Sequence, residues 1–414
     1  MQGKKRVIVF FIPPEKIING GILSIFSLCE VSREFNDIHK SKVVLCTYPG
    51  YKSYGKNNLF KNNEIIYEFE ELLNNNSLEY LQLHVPEYAS NEVFWGLKKY
   101  ETQIRKINQL SVNIMNQNIL LMKRPGEVVR WFYWTKDLTQ TTAHDRYATQ
   151  EIADMYRTPL RHLSTFFDKS QYYYKNFNKK NNLIILSPDY SNKKTEVVNK
   201  LKSSFPNYEF VTIEKMKFET YKKLISRAKY TITFGEGLDG YYLGAIFSGG
   251  IAFSVYNESF FPNKTFSKLK NIFADEKTMV SEIIKILQEL DDKTLYERVV
   301  KENAKEINKL YNFKNYKNNI RQFYLHNFSF VPKNKVDTET IKDMVDEYER
   351  VIDQRDSFIV EKNKVIKNLE DIILKKDEII TARDAHIGKI ENSHSWRVTK
   401  PLRKVVDFIK HKKG

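Results

Sequence analysis

The sequence predicts an α/β protein of two Rossmann-like domains in tandem, followed by one long coiled-coil helix. Three observations carry that expectation. Short β-branched runs alternate with helical patterns in two successive series; a Lys/Asn-rich stretch over 174–182 separates the series; and beyond Thr338 a Val or Ile returns at every seventh residue. Strands and helices alternating at short intervals imply parallel sheets covered by helices on both faces. The resulting boundaries are 1–178 for the first domain, 179–335 for the second, 336–392 for the coiled coil and 393–414 for a basic tail.

In the first series, residues 5–12 read as a buried strand stopped by Pro13 and Pro14. Gly20 and Gly21 then open a helix with Ile22, Ile25, Phe26 and Cys29 on its apolar side. Strands are expected at 42–47, near 65–67, and at 80–84, 112–116 and 138–144; helices fit 91–107, 126–133 and the stretch after Ser164. The second series gives strands at 183–186, 208–213, 230–234 and 252–256. Its helices fall at 193–205, 220–228, 240–247 and 279–290. Residues 300–328 read as helical and suited to packing back on the first domain.

Composition excludes several classes. With 41% hydrophobic and 14% aromatic residues, the 414-residue chain can build cores and is not disordered. Its two cysteines, Cys29 and Cys46, make neither a disulfide framework nor a metal-ligand pair. No apolar run approaches the roughly 18 residues that cross a bilayer, and the N-terminal run lacks a small-residue cleavage site. A cytosolic protein is therefore expected, with a formal charge of +16 whose placement matters more than its size.

The heptad run comprises Val345, Ile352, Ile359, Ile366, Ile373, Ile380 and Ile387, each but the last preceded by another apolar residue. Such a stripe is best satisfied by supercoiling against other helices, so self-association is expected. From Ser393 onward seven Lys/Arg face one acid, Asp407, while Leu402, Val405, Val406 and Ile409 share a helical face and Trp396 precedes Pro401. A basic amphipathic helix with a tryptophan suits an anionic membrane surface. Nothing else in the chain reads nucleic acid. The expected location is peripheral, on the inner face of the plasma membrane.

The most informative stretch is 234–250, a strand running into a glycine-rich turn and then a helix. Backbone N–H groups left open by Gly235, Gly237 and Gly240 suit phosphate oxygens, and Glu236 or Asp239 suits sugar hydroxyls. This segment resembles that of retaining glycosyltransferases of the two-Rossmann-domain (GT-B) architecture, whose motif runs Ser-Glu-Gly, then small and apolar residues, then Glu-Ala and a closing Gly. Glu236-Gly237 and Gly249 match its ends, while Gly244 stands where the second glutamate of the family is expected, with Asp239 or Glu258 as substitutes for its ribose contact. The segment from Ser395 to Arg403 also resembles the tail of many bacterial polysaccharide glycosyltransferases.

The resemblance implies metal-independent transfer of a hexose or deoxyhexose from a nucleotide-sugar to a lipid-linked or growing cell-surface glycan. No cofactor is implied beyond the donor substrate. It also implies a phosphate- and acceptor-side loop at Gly20 and Gly21, a cleft histidine at His144 ahead of His84, and diphosphate-neutralising lysines at Lys193 and Lys194, with Lys264 a weaker candidate. Glu236 and His144 are thus the expected catalytic residues. The chain holds no Asp-x-Asp motif. A coiled-coil scaffold with degenerate, non-catalytic domains is the alternative, and Gly244 is the residue that favours it.

Overall fold

The computed structural model describes residues 5–74, 78–166, 168–334, 336 and 338–404. The chain divides into two compact units, 1–341 and 342–414.

The first unit contains two sheets, and every paired strand in both runs parallel. The seven-stranded sheet uses β1 (Lys5–Ile12), β2 (Lys42–Thr47), β3 (Ile66–Tyr67), β4 (Leu78–Pro86), β5 (Gln109–Asn116), β6 (Asp137–Thr142) and β7 (Leu160–His162), in the order 3-2-1-4-5-6-7. The five-stranded sheet uses β8 (Asn181–Leu186), β9 (Glu209–Thr212), β10 (Ala228–Ile232), β11 (Ile251–Val255) and β12 (Ile272–Phe273), in the order 12-11-10-8-9. Strand order reverses between β1 and β4 in one sheet and between β8 and β10 in the other. In open parallel sheets, ligands settle in the crevice outside such switch points.

β1 illustrates why the strands form: Val7 to Ile12 are all buried, as a strand covered on both faces demands. The helix Gly20–Arg33 starts where the Asn19 side chain accepts the Ile22 N–H at 2.9 Å, a standard N-cap. The helix Phe313–Tyr324 lies after the second sheet in sequence but supplies Tyr316, Ile320, Phe323 and Tyr324 to the core formed by Ile8, Phe10, Ile25 and Phe26. Tyr316 and Tyr324 also bond Ser27 and Ser32, at 3.2 and 2.8 Å.

Four expectations are corrected. Between Ser164 and β8 the described residues form no α-helix, only single turns at Lys169–Gln171 and Phe177–Lys179. Instead a helix Gln150–Tyr156 begins earlier, at Thr149, whose hydroxyl caps Ile152 N–H at 3.2 Å, and β7 follows it. The expected helix over 91–107 is broken into Ser90–Lys98 and Glu101–Ile104. β6 stops at Thr142, leaving His144 in the turn beyond it.

The second unit is dominated by the helix Thr338–Glu391, 54 residues long. Its heptad residues from Ile359 to Ile387 are 45–58% exposed in the single chain, as are Phe358 and Val365 beside them. A short helix, His394–Val398, follows, capped by the Ser393 side chain, and helical residues continue to 404. The tail's remaining basic and apolar residues, 405–414, lie outside the described residues. No described helix is long and apolar enough to cross a membrane.

Because residues 313–324 complete the first sheet's core, Ile320→Ala is expected to cost about 2–5 kcal/mol, the usual range for a buried truncation. Urea unfolding followed by a probe in the first sheet checks this; an unchanged midpoint would refute it.

Candidate functional site

The turns at both switch points meet across a crevice. From the first sheet come Asn19 to Gly21 after β1, Glu87 after β4, the turn 117–118 after β5 and His144 after β6; from the second come Asp189 after β8 and residues 235–239 after β10. The Glu236 carboxylate reaches across: its Oε1 accepts the Asn118 Nδ2–H at 2.5 Å. Arg146 makes a second bridge to Glu258, at 3.0 Å.

Two glycines hold the Glu236 loop in place for different reasons. A Cβ at Gly235 would lie 2.9 Å from the Asp189 carboxyl, and Gly237 has φ of +92° with Phe261 and Ser254 packed where a side chain would stand. No N–H of residues 235–239 donates to another described residue.

The helix Gly240–Phe247 behaves differently from expectation. Its N-terminus is filled by Asp239, whose Oδ1 accepts the N–H groups of both Tyr241 and Tyr242 at 2.8 Å while Oδ2 bonds Thr233. Asp239 and Gly240 therefore serve to start the helix, and the anion at this position is the chain's own carboxylate. Gly244 faces inward: a Cβ there would press on the Tyr221 hydroxyl, Ile225 and Tyr172. Position 244 thus lies in a packed interior, where a glutamate has no access to the crevice.

Glu258 does take a relevant place. It lines a cavity of about 300 Å³ at the carboxyl ends of β8, β10 and β11, together with Lys193, Thr233, Gly235, Tyr256 and Glu276. Lys193 pairs with Glu196 at 2.9 Å. Lys194 is turned under the loop instead, donating to the carbonyls of Ser187 and Asp189 at 2.7 and 2.9 Å. It ties down the turn after β8, and its position is a correction to the expected pair of free lysines.

His144 bonds the Gln117 carbonyl through Nε2 at 3.1 Å, which fixes the Nε2–H tautomer and leaves Nδ1 as acceptor. Burial holds its pKa below the usual histidine value, so the ring is neutral near neutrality. His84 is excluded from the crevice: it is stacked on Phe10 with ring centroids 4.1 Å apart, and burial pushes its pKa down to about 3. Gly21 belongs to the same crevice wall, because a Cβ on it would sit 3.2 Å from Gln117 Oε1; Gly20 is the first residue of its helix.

Sequence reasoning missed Glu87 and Asn118. Glu87 is wholly buried at the end of β4 and accepts the Asn118 N–H at 2.8 Å. Burial pushes it to about 7, and burial with Asp239, Asp189 and Glu87 nearby raises Glu236 to about 7 as well. The only signal for Glu87 was a carboxylate directly after an apolar strand, which a single sequence does not distinguish from a solvated turn. Among the described residues no three His, Cys, Asp or Glu side chains group as a metal site.

No protein-family model matches the chain, and no curated protein matches it. Solved structures give distant likenesses. Sucrose-phosphate synthase from Thermosynechococcus elongatus is 10% identical, with 78% of this chain and 99% of that one covered at a TM-score of 0.49. A point mutant of TarM from S. aureus, solved with Fondaparinux, alpha-GlcNAc-glycerol and UDP, is 9% identical, covering 78% and 100% at 0.49. The trehalose-6-phosphate synthase OtsA is 8% identical, covering 80% and 100% at 0.46.

Two outcomes are expected. Gly244→Glu forces a charge into the packed interior and is expected to destabilise the protein by about 3 kcal/mol or more, read as a lowered thermal midpoint. Glu87 binds a proton more tightly folded than unfolded, so stability falls as pH rises from about 4.5 to about 7 and is level on either side. Glu87→Gln removes that group's share, about 3 kcal/mol at most, and flattens the decline in a pH series of denaturation midpoints.

Proposed function

We propose that the protein is a glycosyltransferase of GT-B type that binds a nucleotide-sugar in this crevice and transfers the sugar, with retention, to a lipid-linked or growing cell-surface glycan. The observation that carries the reading is Glu236: a half-buried carboxylate on a glycine-framed loop at one switch point, bonded to Asn118 from the facing sheet. A sugar held there would meet groups from both sheets at once, which is what orientation for transfer requires.

The nucleotide takes the neighbouring cavity, with Glu258 and Glu276 suited to ribose hydroxyls. The diphosphate lies along the open N–H groups of the 235–238 loop, with Lys193 and Arg146 at its rim and the start of the Gly20–Arg33 helix opposite. Positively polarised N–H groups stabilise a departing diphosphate by fixed electrostatics. His144, neutral with Nδ1 available, faces the sugar or the acceptor. The reading requires no bound cofactor.

The exposed apolar stripe of the long helix supports self-association, and the basic residues of the tail support binding to anionic lipid. Several tails on one oligomer would hold the enzyme at a lipid-linked acceptor by multivalency.

Thermal-shift screening of nucleotide-sugars tests the donor site, since a ligand that binds only the folded state raises the midpoint. Glu236→Ala is expected to lower transfer at least about 100-fold while the fold and oligomer persist; retained activity would refute the site. If the wild-type protein neither binds nor turns over any nucleotide-sugar, the scaffold alternative replaces this reading. Deleting 393–414 is expected to release the protein from anionic liposomes with activity on soluble acceptors intact; unchanged sedimentation with liposomes would refute the anchor.

A further inference from the structure

Glu87 forms a connected unit with Asn118, and the transfer reading gives Glu87 and the Asn118 backbone no role. Strands β4 and β5 are neighbours, so the residues just past their ends meet. Glu87 Oε1 takes the Asn118 backbone N–H at 2.8 Å, while Glu87 Oε2 is buried with no partner among the described residues. Asn118 Oδ1 in turn accepts the Leu120 N–H at 2.9 Å. An amide whose oxygen is committed in this way presents its NH₂ group in one direction only. That direction is across the crevice, to Glu236 Oε1 at 2.5 Å. Glu236 Oε2 has no hydrogen-bond partner among the described residues.

We propose that Glu87 and Asn118 are positioning residues for Glu236: Glu87 anchors the Asn118 backbone, and the Asn118 amide holds one Glu236 oxygen so that the other is presented to the sugar. The assignment rests on Glu236 as the sugar-binding group. It gives a fully buried carboxylate a task, since burying Glu87 costs stability and a satisfied surface turn would need no such group. The titratable groups around the unit are Asp239 on the same loop as Glu236, Asp189 from the turn after β8, the neutral Tyr311 hydroxyl, and Lys123 near Glu87.

The geometry sets opposite signs for two substitutions. Asn118→Ala removes a donor that favours ionised Glu236, so the Glu236 titration moves to higher pH. Glu87→Gln removes a neighbouring negative charge while leaving an oxygen for the Asn118 N–H, so the titration moves to lower pH. The experiment follows Glu236 by carboxyl carbon NMR in full-length protein labelled at glutamate, with Glu236→Gln identifying the resonance. Donor transfer is measured across pH on the same proteins.

The expected result is that split, together with a 10- to 100-fold loss of kcat in Asn118→Ala and a donor KM within about threefold of wild type. Midpoints that do not move, or that move in the same direction, overturn the positioning unit. Asn118→Ser, which keeps an acceptor for Leu120 N–H but cannot reach Glu236, replaces alanine if that variant folds poorly. Wild-type protein that transfers no sugar while the midpoints split as expected would remove the transfer reading and leave the Glu87–Asn118–Glu236 linkage standing.

Discussion

A parallel strand cannot be followed directly by its neighbour. The chain must return over one face of the sheet, so every strand-to-helix turn gathers along a single edge. Two such edges face each other in the first unit of this protein, and the described carboxylates whose pKa is raised sit between them. Glu87, Asp189, Glu236 and Asp239 all follow strand ends. Burial in a poorly solvated gap raises Glu87 to about 7, and burial together with neighbouring acids raises Glu236 to about 7 and Asp239 to about 6, above the ordinary carboxylate range. The protein carries an excess of positive charge overall, yet the crevice is acidic; most lysines lie elsewhere, and Lys194 is consumed by two carbonyls.

Hydrogen bonding, more than charge, then decides which carboxylate is available. Asp239 is saturated by two N–H groups and a hydroxyl, so it starts a helix. Glu236 spends one oxygen on Asn118. Glu258 is exposed at the cavity rim and shared with Arg146. Three acids past the ends of the neighbouring strands β10 and β11 thus take three different parts, because the donors each one meets differ: two N–H groups and a hydroxyl for Asp239, one amide for Glu236 and one guanidinium for Glu258.

The fold was readable where the pattern was locally complete. Residues 5–12, 42–47 and 240–247 match the observed elements because each is bounded by its own stop or start signal: prolines after Ile12, Asp239 before Gly240. Residues 150–162 were missed because a Thr149 cap and a three-residue edge strand leave little periodicity. In the site, Glu236 could be found from its glycines. The inward turn of Gly244 and the capping bonds of Asp239 were not legible, because a motif aligned by spacing does not say which side of a helix faces inward. Glu87 and Asn118 lie 31 residues apart and become partners only through the adjacency of β4 and β5.

The helix Phe313–Tyr324 has one more consequence. It reaches back past the whole second lobe to cover Phe10, Ile25 and Phe26. During synthesis these side chains emerge from the ribosome some 300 residues before their cover does. The N-terminal lobe therefore waits with an open apolar seam, and closing it ties the two lobes together in the same step that finishes the first.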